Sequence, residues 1–152
     1  MFTTTLTAEE ALVGFGKGVD CSQAVFAEFA PQFENGVDRE TALKIAAIFG
    51  GGMLEGDTCG AVSGALMALG LKYGQGDKVD SVKKNVMTRK AMEFKTKFAE
   101  KYGSCLCKEM LGYKIPEEMD KIMAENKFGT VCCNAVADAC ELVAEILNSD
   151  EE

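Results

Sequence analysis

The 152-residue chain contains no histidine and no tryptophan. Without histidine, Ser-His and Cys-His catalysis, histidine metal ligation and His-ligated haem all drop out at once. Basic charge is also in short supply. Sixteen Lys and Arg stand against 24 Asp and Glu, for a formal net charge of −8 and a pI of about 4.7. That balance argues against binding nucleic acid through phosphate neutralisation and suits an acidic carrier that docks on a basic partner. Long apolar runs are missing too. The longest nearly apolar stretch, GAVSGALMALGL, is 12 residues, too short to span a bilayer. The start, MFTTTLTAEE, has neither a basic segment nor an apolar one, so it does not read as a secretory signal. A cytoplasmic protein without membrane insertion is therefore expected. Only two prolines occur, Pro31 and Pro116, with no low-complexity tract and no internal repeat. One domain over residues 1–152 is the expectation.

Helical signals run along most of the chain. TAEEALVGFG (7–16) opens with a capping pair, Thr7 and Glu10, and DCSQAVFAEFAPQF (20–33) opens with Asp20 and Gln23. DRETALKIAAIFGGG (38–52) carries Leu43, Ile45, Ala46, Ile48 and Phe49 and stops at Gly50–Gly52. A helix is expected over 58–73, a long one over 77–103 ending at Gly103, and short ones over 104–112 and 116–126. Pro116 would sit in the first turn of the last of these. TVCCNAVADACELVAEIL (130–147) closes the chain. No stretch alternates with period two strongly enough to predict a strand, so the fold class is an all-α, single-domain helical bundle. The eight methionines read as core filler.

Seven cysteines, an odd number, point to metal or redox chemistry more than to a disulfide framework. Six of them, Cys21, Cys59, Cys105, Cys107, Cys132 and Cys133, are predicted in the first turn of four helices, just after capping residues. Unpaired backbone N–H groups and the helix dipole favour anions there and push a thiol toward thiolate. Residues i and i+2 do not share a helix face, so one of Cys105 and Cys107 should enter a common site. Cys132 and Cys133 diverge by about 100°, which again leaves one. Four thiolates match an iron–sulfur or a zinc site. Cys140, mid-helix, reads as a small buried hydrophobe.

Glycine marks the segment around Cys59. Gly60, Gly64 and Ala68 form a smooth stripe at four-residue spacing. Such a stripe fits tight core packing or, alternatively, a homodimer seam. Gly50–Gly52 and Gly56 would free the backbone to wrap a cofactor and aim N–H groups at sulfur. A nucleotide loop lacks its Lys-Ser/Thr and its GxGxxG.

GVDCSQAV, GDTCGAVSGALMALGLKYG, CKEMLG and VCCNAVADA together resemble a family of redox-active proteins named for a C–GCAxxG–C–C pattern. The resemblance runs over most of the chain. It implies Cys21, Cys59, Cys107 and Cys132 as the four family cysteines, with Cys105 and Cys133 as alternates at the third and fourth positions. The family is similar to the iron–sulfur portion of split-Soret cytochromes, which implies a cluster of the 2Fe–2S type. No CxxCH is present, so the haem portion is absent. The expectation is a small electron carrier with an iron–sulfur cluster on Cys21, Cys59, Cys107 and Cys132, serving a redox partner protein. A cluster-free thiol–disulfide protein and a structural zinc module are the alternatives.

Overall fold

The computed structural model describes residues 1–151. Among these, eight α-helices follow one another: α1 (Ala8–Gly16), α2 (Cys21–Phe29), α3 (Arg39–Ala46), α4 (Gly60–Tyr73), α5 (Ser81–Tyr102), α6 (Cys107–Leu111), α7 (Met119–Ala124) and α8 (Cys133–Asn148). The described residues contain no strand, only an isolated antiparallel bridge between Thr58 and Leu106. No helix among them is long and apolar enough to cross a membrane. The all-α expectation holds.

Several helix starts follow from local chemistry. Glu10 N–H donates to Thr7 Oγ1 at 3.1 Å, and Asp20 N–H donates to Gln23 Oε1 at 2.8 Å. Asp80 Oδ1 accepts from Val82 and Lys83 N–H, so α5 begins at Ser81 rather than at residue 77. Gly103 at φ 79° ends α5 where expected.

Other boundaries differ. α3 stops at Ala46, and it buries Ala42 and Ala46 while Ile45 and Ile48 are exposed. Two hydroxyl and amide contacts set that face. Ser22 Oγ donates to Ala46 O at 2.8 Å, and Gln23 Nε2 donates to Leu43 O at 2.9 Å. The small alanines let α2 come close enough for both. Ser104–Leu106 stays outside α6, because Leu106 is extended in the bridge to Thr58. Pro116 lies in a turn ahead of α7 rather than in its first turn. The methionines fill the edge of the core rather than its centre: none of the eight is fully buried, Met67, Met87, Met110 and Met119 pack half-buried against the two apolar clusters, and Met1, Met53, Met92 and Met123 are exposed.

α4 packs against α2, α5 and α8 and is the centre of the main core. Its glycine stripe faces α2. A Cβ on Gly64 would lie 2.5 Å from Ser22 O, and Ala68 is fully buried. The stripe is covered by this chain's own helix, so it serves core packing rather than a seam between copies. Gly70, on the opposite side, is exposed and has nothing within 4 Å of a built Cβ. Gly70→Ala is therefore expected to raise stability by about 0.5–1 kcal/mol, through helix propensity alone, in a denaturant titration.

A second, smaller apolar cluster is built by Cys107, Leu111, Ile115 and Ile122 around α6 and α7. Helices of five and six residues are marginal on their own, so this unit depends on what it packs against.

Candidate functional site

Four cysteines open four different helices. Cys21 and Cys107 are the first residues of α2 and α6, and Cys59 and Cys132 are the caps of α4 and α8. Cys59 N–H donates to Cys105 O, and Cys107 N–H donates to Asp57 O, both at 2.7 Å. This pair of bonds flanks the Thr58–Leu106 bridge and sets Cys59 and Cys107 on neighbouring strands of chain. Cys132 arrives through a tight π-type turn, Phe128–Cys132, that runs into α8.

Cys21, Cys59, Cys107 and Cys132 all line one cavity of about 480 Å³. It lies between the two apolar clusters: Cys59 belongs to the main one, while Cys107 and Cys132 pack in the smaller one. The other three thiols are elsewhere. Cys105 is not in a first turn, contrary to the sequence expectation. Its Sγ turns toward α5 and lies 3.6 Å from Lys95 O. Cys133 Sγ donates to Gly129 O at 3.2 Å, and Cys140 is fully buried in the main core. The separation of Cys105 from Cys107 thus comes from the extended Leu106 between them, not from the pitch of one helix. All seven cysteines are free thiols.

The expectation of low-pKa thiols is overturned. Burial pushes the thiols of Cys21, Cys59 and Cys132 up, and Cys107 is pushed up to about 12. The second upward cause is charge: a Cys21 thiolate would raise Cys59, Cys107 and Cys132, and Asp20 raises Cys21. The helix-start effect is real but smaller. N–H groups of Gly51 and Ser22 lower Cys21, and those of Ala61 and Val62 lower Cys59. In an apolar pocket without a counter-cation, desolvation outweighs a few N–H dipoles.

The sign of the pH dependence follows. Cys107 and Cys140 both sit near 12 in the folded chain, against about 8.5 in an unfolded one. Folded thiols hold protons that unfolded ones lose, so this stability is full below about pH 8.5 and is lost as pH rises toward 12. At pH 10 the metal-free chain should be weaker by about 2 kcal/mol for each such thiol than at pH 7. Urea midpoints at the two pH values check this.

Of the glycines expected to wrap a cofactor, two reach the cavity and Gly52 and Gly56 do not. Gly50 and Gly51 line it, and Gly51, Gly52, Met53 and Leu54 are all left-handed, with φ of 61°, 63°, 58° and 65°. Two of these are not glycine, and each costs about 1–2 kcal/mol in that region. The turn brings Gly51 N–H onto the Cys21 sulfur. Gly60 lets α4 reach α2 there: a Cβ on it would lie 2.2 Å from Cys21 Sγ. The residues of the apolar wall, Phe15, Leu111, Ile115 and Phe128 among them, carried no motif in the sequence.

The cavity offers a donor set of four soft thiols. Among the described residues, however, no group of three Cys, Asp or Glu stands ready to hold a metal ion. The thiols surround a space rather than a point. A single zinc needs all four sulfurs about 2.3 Å from one centre. A polynuclear cluster is ligated around its periphery.

No curated protein and no solved structure matches the chain. A family profile, described as "Putative redox-active protein (C_GCAxxG_C_C)", matches residues 19–146, which takes in all seven cysteines and every residue of the cavity lining except Leu12, Phe15 and Gly16. The chain belongs to the C_GCAxxG_C_C family of redox-active proteins.

Proposed function

We propose that Cys21, Cys59, Cys107 and Cys132 hold one iron–sulfur cluster, of the 2Fe–2S type, and that the protein is an electron carrier. One observation carries this reading: four thiols from four helix starts line a single cavity, and the other three do not. When bound, such a cluster supplies one-electron transfer.

The chain's own groups do the rest. N–H groups of Gly51, Ser22, Ala61 and Val62 stabilise negative charge on the sulfurs of Cys21 and Cys59. The apolar wall limits water at the thiols, with Cys59 and Cys107 buried and Cys21 and Cys132 half-buried. No Lys or Arg lines the cavity, so bare thiolates there would repel one another without relief. A metal centre provides the positive charge that lets all four ionise together.

The same facts weigh against the alternatives. A dithiol catalyst needs a thiolate near neutral pH, whereas burial holds these thiols protonated. A zinc site needs a tighter cluster than the described residues form.

Paired substitutions test the assignment. Cys107→Ser should abolish the visible chromophore of anaerobically purified protein, while Cys105→Ser should keep most of it, because Cys105 faces α5. Equal loss in both, with both variants folded by circular dichroism, would defeat the ligand set.

A further inference from the structure

Beside the four thiols, most of the cavity's lining is apolar. Its volume of about 480 Å³ lies within the range of small-molecule sites, roughly 300–1,000 Å³. Phe15, Leu111, Ile115 and Phe128 line the inner part. The rings of Phe15 and Phe128 meet edge-on, with centroids 6.4 Å apart at 65°. Leu12, Leu54 and Met123 line it from the surface side, 42%, 58% and 63% exposed. Leu54 is placed there by the left-handed turn, at φ 65°.

Charge narrows the ligand class. No Lys or Arg lines the cavity, so a carboxylate, sulfonate or phosphate buried there would find no partner. Asp20 is the one carboxylate on the wall, and the capping box of α2 engages its side chain with the N–H of Gln23 as well as its own N–H with the Gln23 side chain. Apolar walls of this kind repel water and retain apolar guests. The aromatic edges of Phe15 and Phe128 favour a ring against them.

The geometry points to a binding site for an uncharged, ring-containing apolar small molecule, seated against Phe15 and Phe128 with one side on the thiol wall. As a substrate or carrier site it rests on the redox reading of the thiols, whereas the binding itself does not. The small molecule would reach the redox centre directly, without a protein docked over it.

N-phenylnaphthylamine, uncharged and fluorescent in apolar surroundings, is the probe, and anilinonaphthalene sulfonate is its anionic counterpart. The absence of tryptophan leaves the probe's emission clear of the protein's own. Anaerobically purified protein should bind the neutral probe saturably at one site and the sulfonate at least about tenfold more weakly, in line with the cost of burying an unpaired charge. Leu54→Asp and Met123→Asp should each weaken the neutral probe about tenfold or more by the same cost. Asp tolerates the left-handed backbone at position 54. Met92→Asp, at an exposed position on α5 away from this cavity, should leave binding unchanged. Circular dichroism confirms that each variant folds, and Met123→Asp decides alone if Leu54→Asp does not. Non-saturable binding, equal affinity for the sulfonate, or undiminished binding to folded Met123→Asp would overturn the site. A colourless chain that still binds the probe sinks the cluster and leaves this site standing. An iron-loaded chain that ignores the probe sinks this site alone.

Discussion

Gly64→Leu is expected to lose about 3 kcal/mol or more, roughly 10 °C in Tm, and in a marginal background to fail to fold. The reason is backbone, not side chain. A Cβ at this position would lie 2.5 Å from Ser22 O and 3.2 Å from Ser22 Cα, so α2 itself must move away. Moving α2 breaks the bonds of Ser22 and Gln23 to the end of α3 and displaces Cys21 one residue before them. The propensity gained by removing a glycine is at most about 1 kcal/mol and does not offset the clash. The comparison with Gly70 isolates the cause. Gly64→Ala should destabilise and Gly70→Ala should stabilise, although both exchange the same atoms on one helix. Equal gains from both, read by thermal unfolding, would mean that α2 and α4 do not approach as described.

Gly60→Ala should strip the site while leaving most of the fold. Its new methyl would stand 2.2 Å from Cys21 Sγ, 3.0 Å from Ser22 N and 3.3 Å from Gly50 Cα. The sulfur is the most easily displaced of the three, and a rotated Cys21 no longer faces the cavity. Changes that disturb the support of a ligand cost about 10–100-fold in metal affinity. The expected result is a folded protein whose iron content and visible absorption fall at least about tenfold, with a smaller change in Tm than Gly64→Leu gives. Full iron content in Gly60→Ala would show that Cys21 does not need its present position.

The sequence carried the helical class and the cysteine positions because both are written in local chemistry. Thr7, Asp20 and Gly103 mark helix ends by their own hydrogen bonds or dihedral angles. The stripe at Gly60, Gly64 and Ala68 was legible as a close approach, though not which helix approaches it. What was illegible depends on tertiary placement. Ile45 and Ile48 look like core residues, yet Ala42 and Ala46 are buried because Ser22 and Gln23 pull α3 close. Cys105 looked like a first-turn thiol until Leu106 paired with Thr58. The thiol pKa direction was misread for a related reason. A helix start is visible in sequence, but the burial of Cys59 and Cys107 depends on two apolar clusters closing around them. The wall made by Phe15, Ile115 and Phe128 joins residues more than 100 positions apart and has no local signature.

Iron and acid-labile sulfide, measured together with the visible spectrum on protein made and purified without oxygen, test the central claim most directly. The account predicts a brown protein with iron and sulfide in equal amounts per chain, both lost in Cys59→Ser. A colourless protein with neither, even after chemical reconstitution, or one carrying stoichiometric zinc instead, would contradict it.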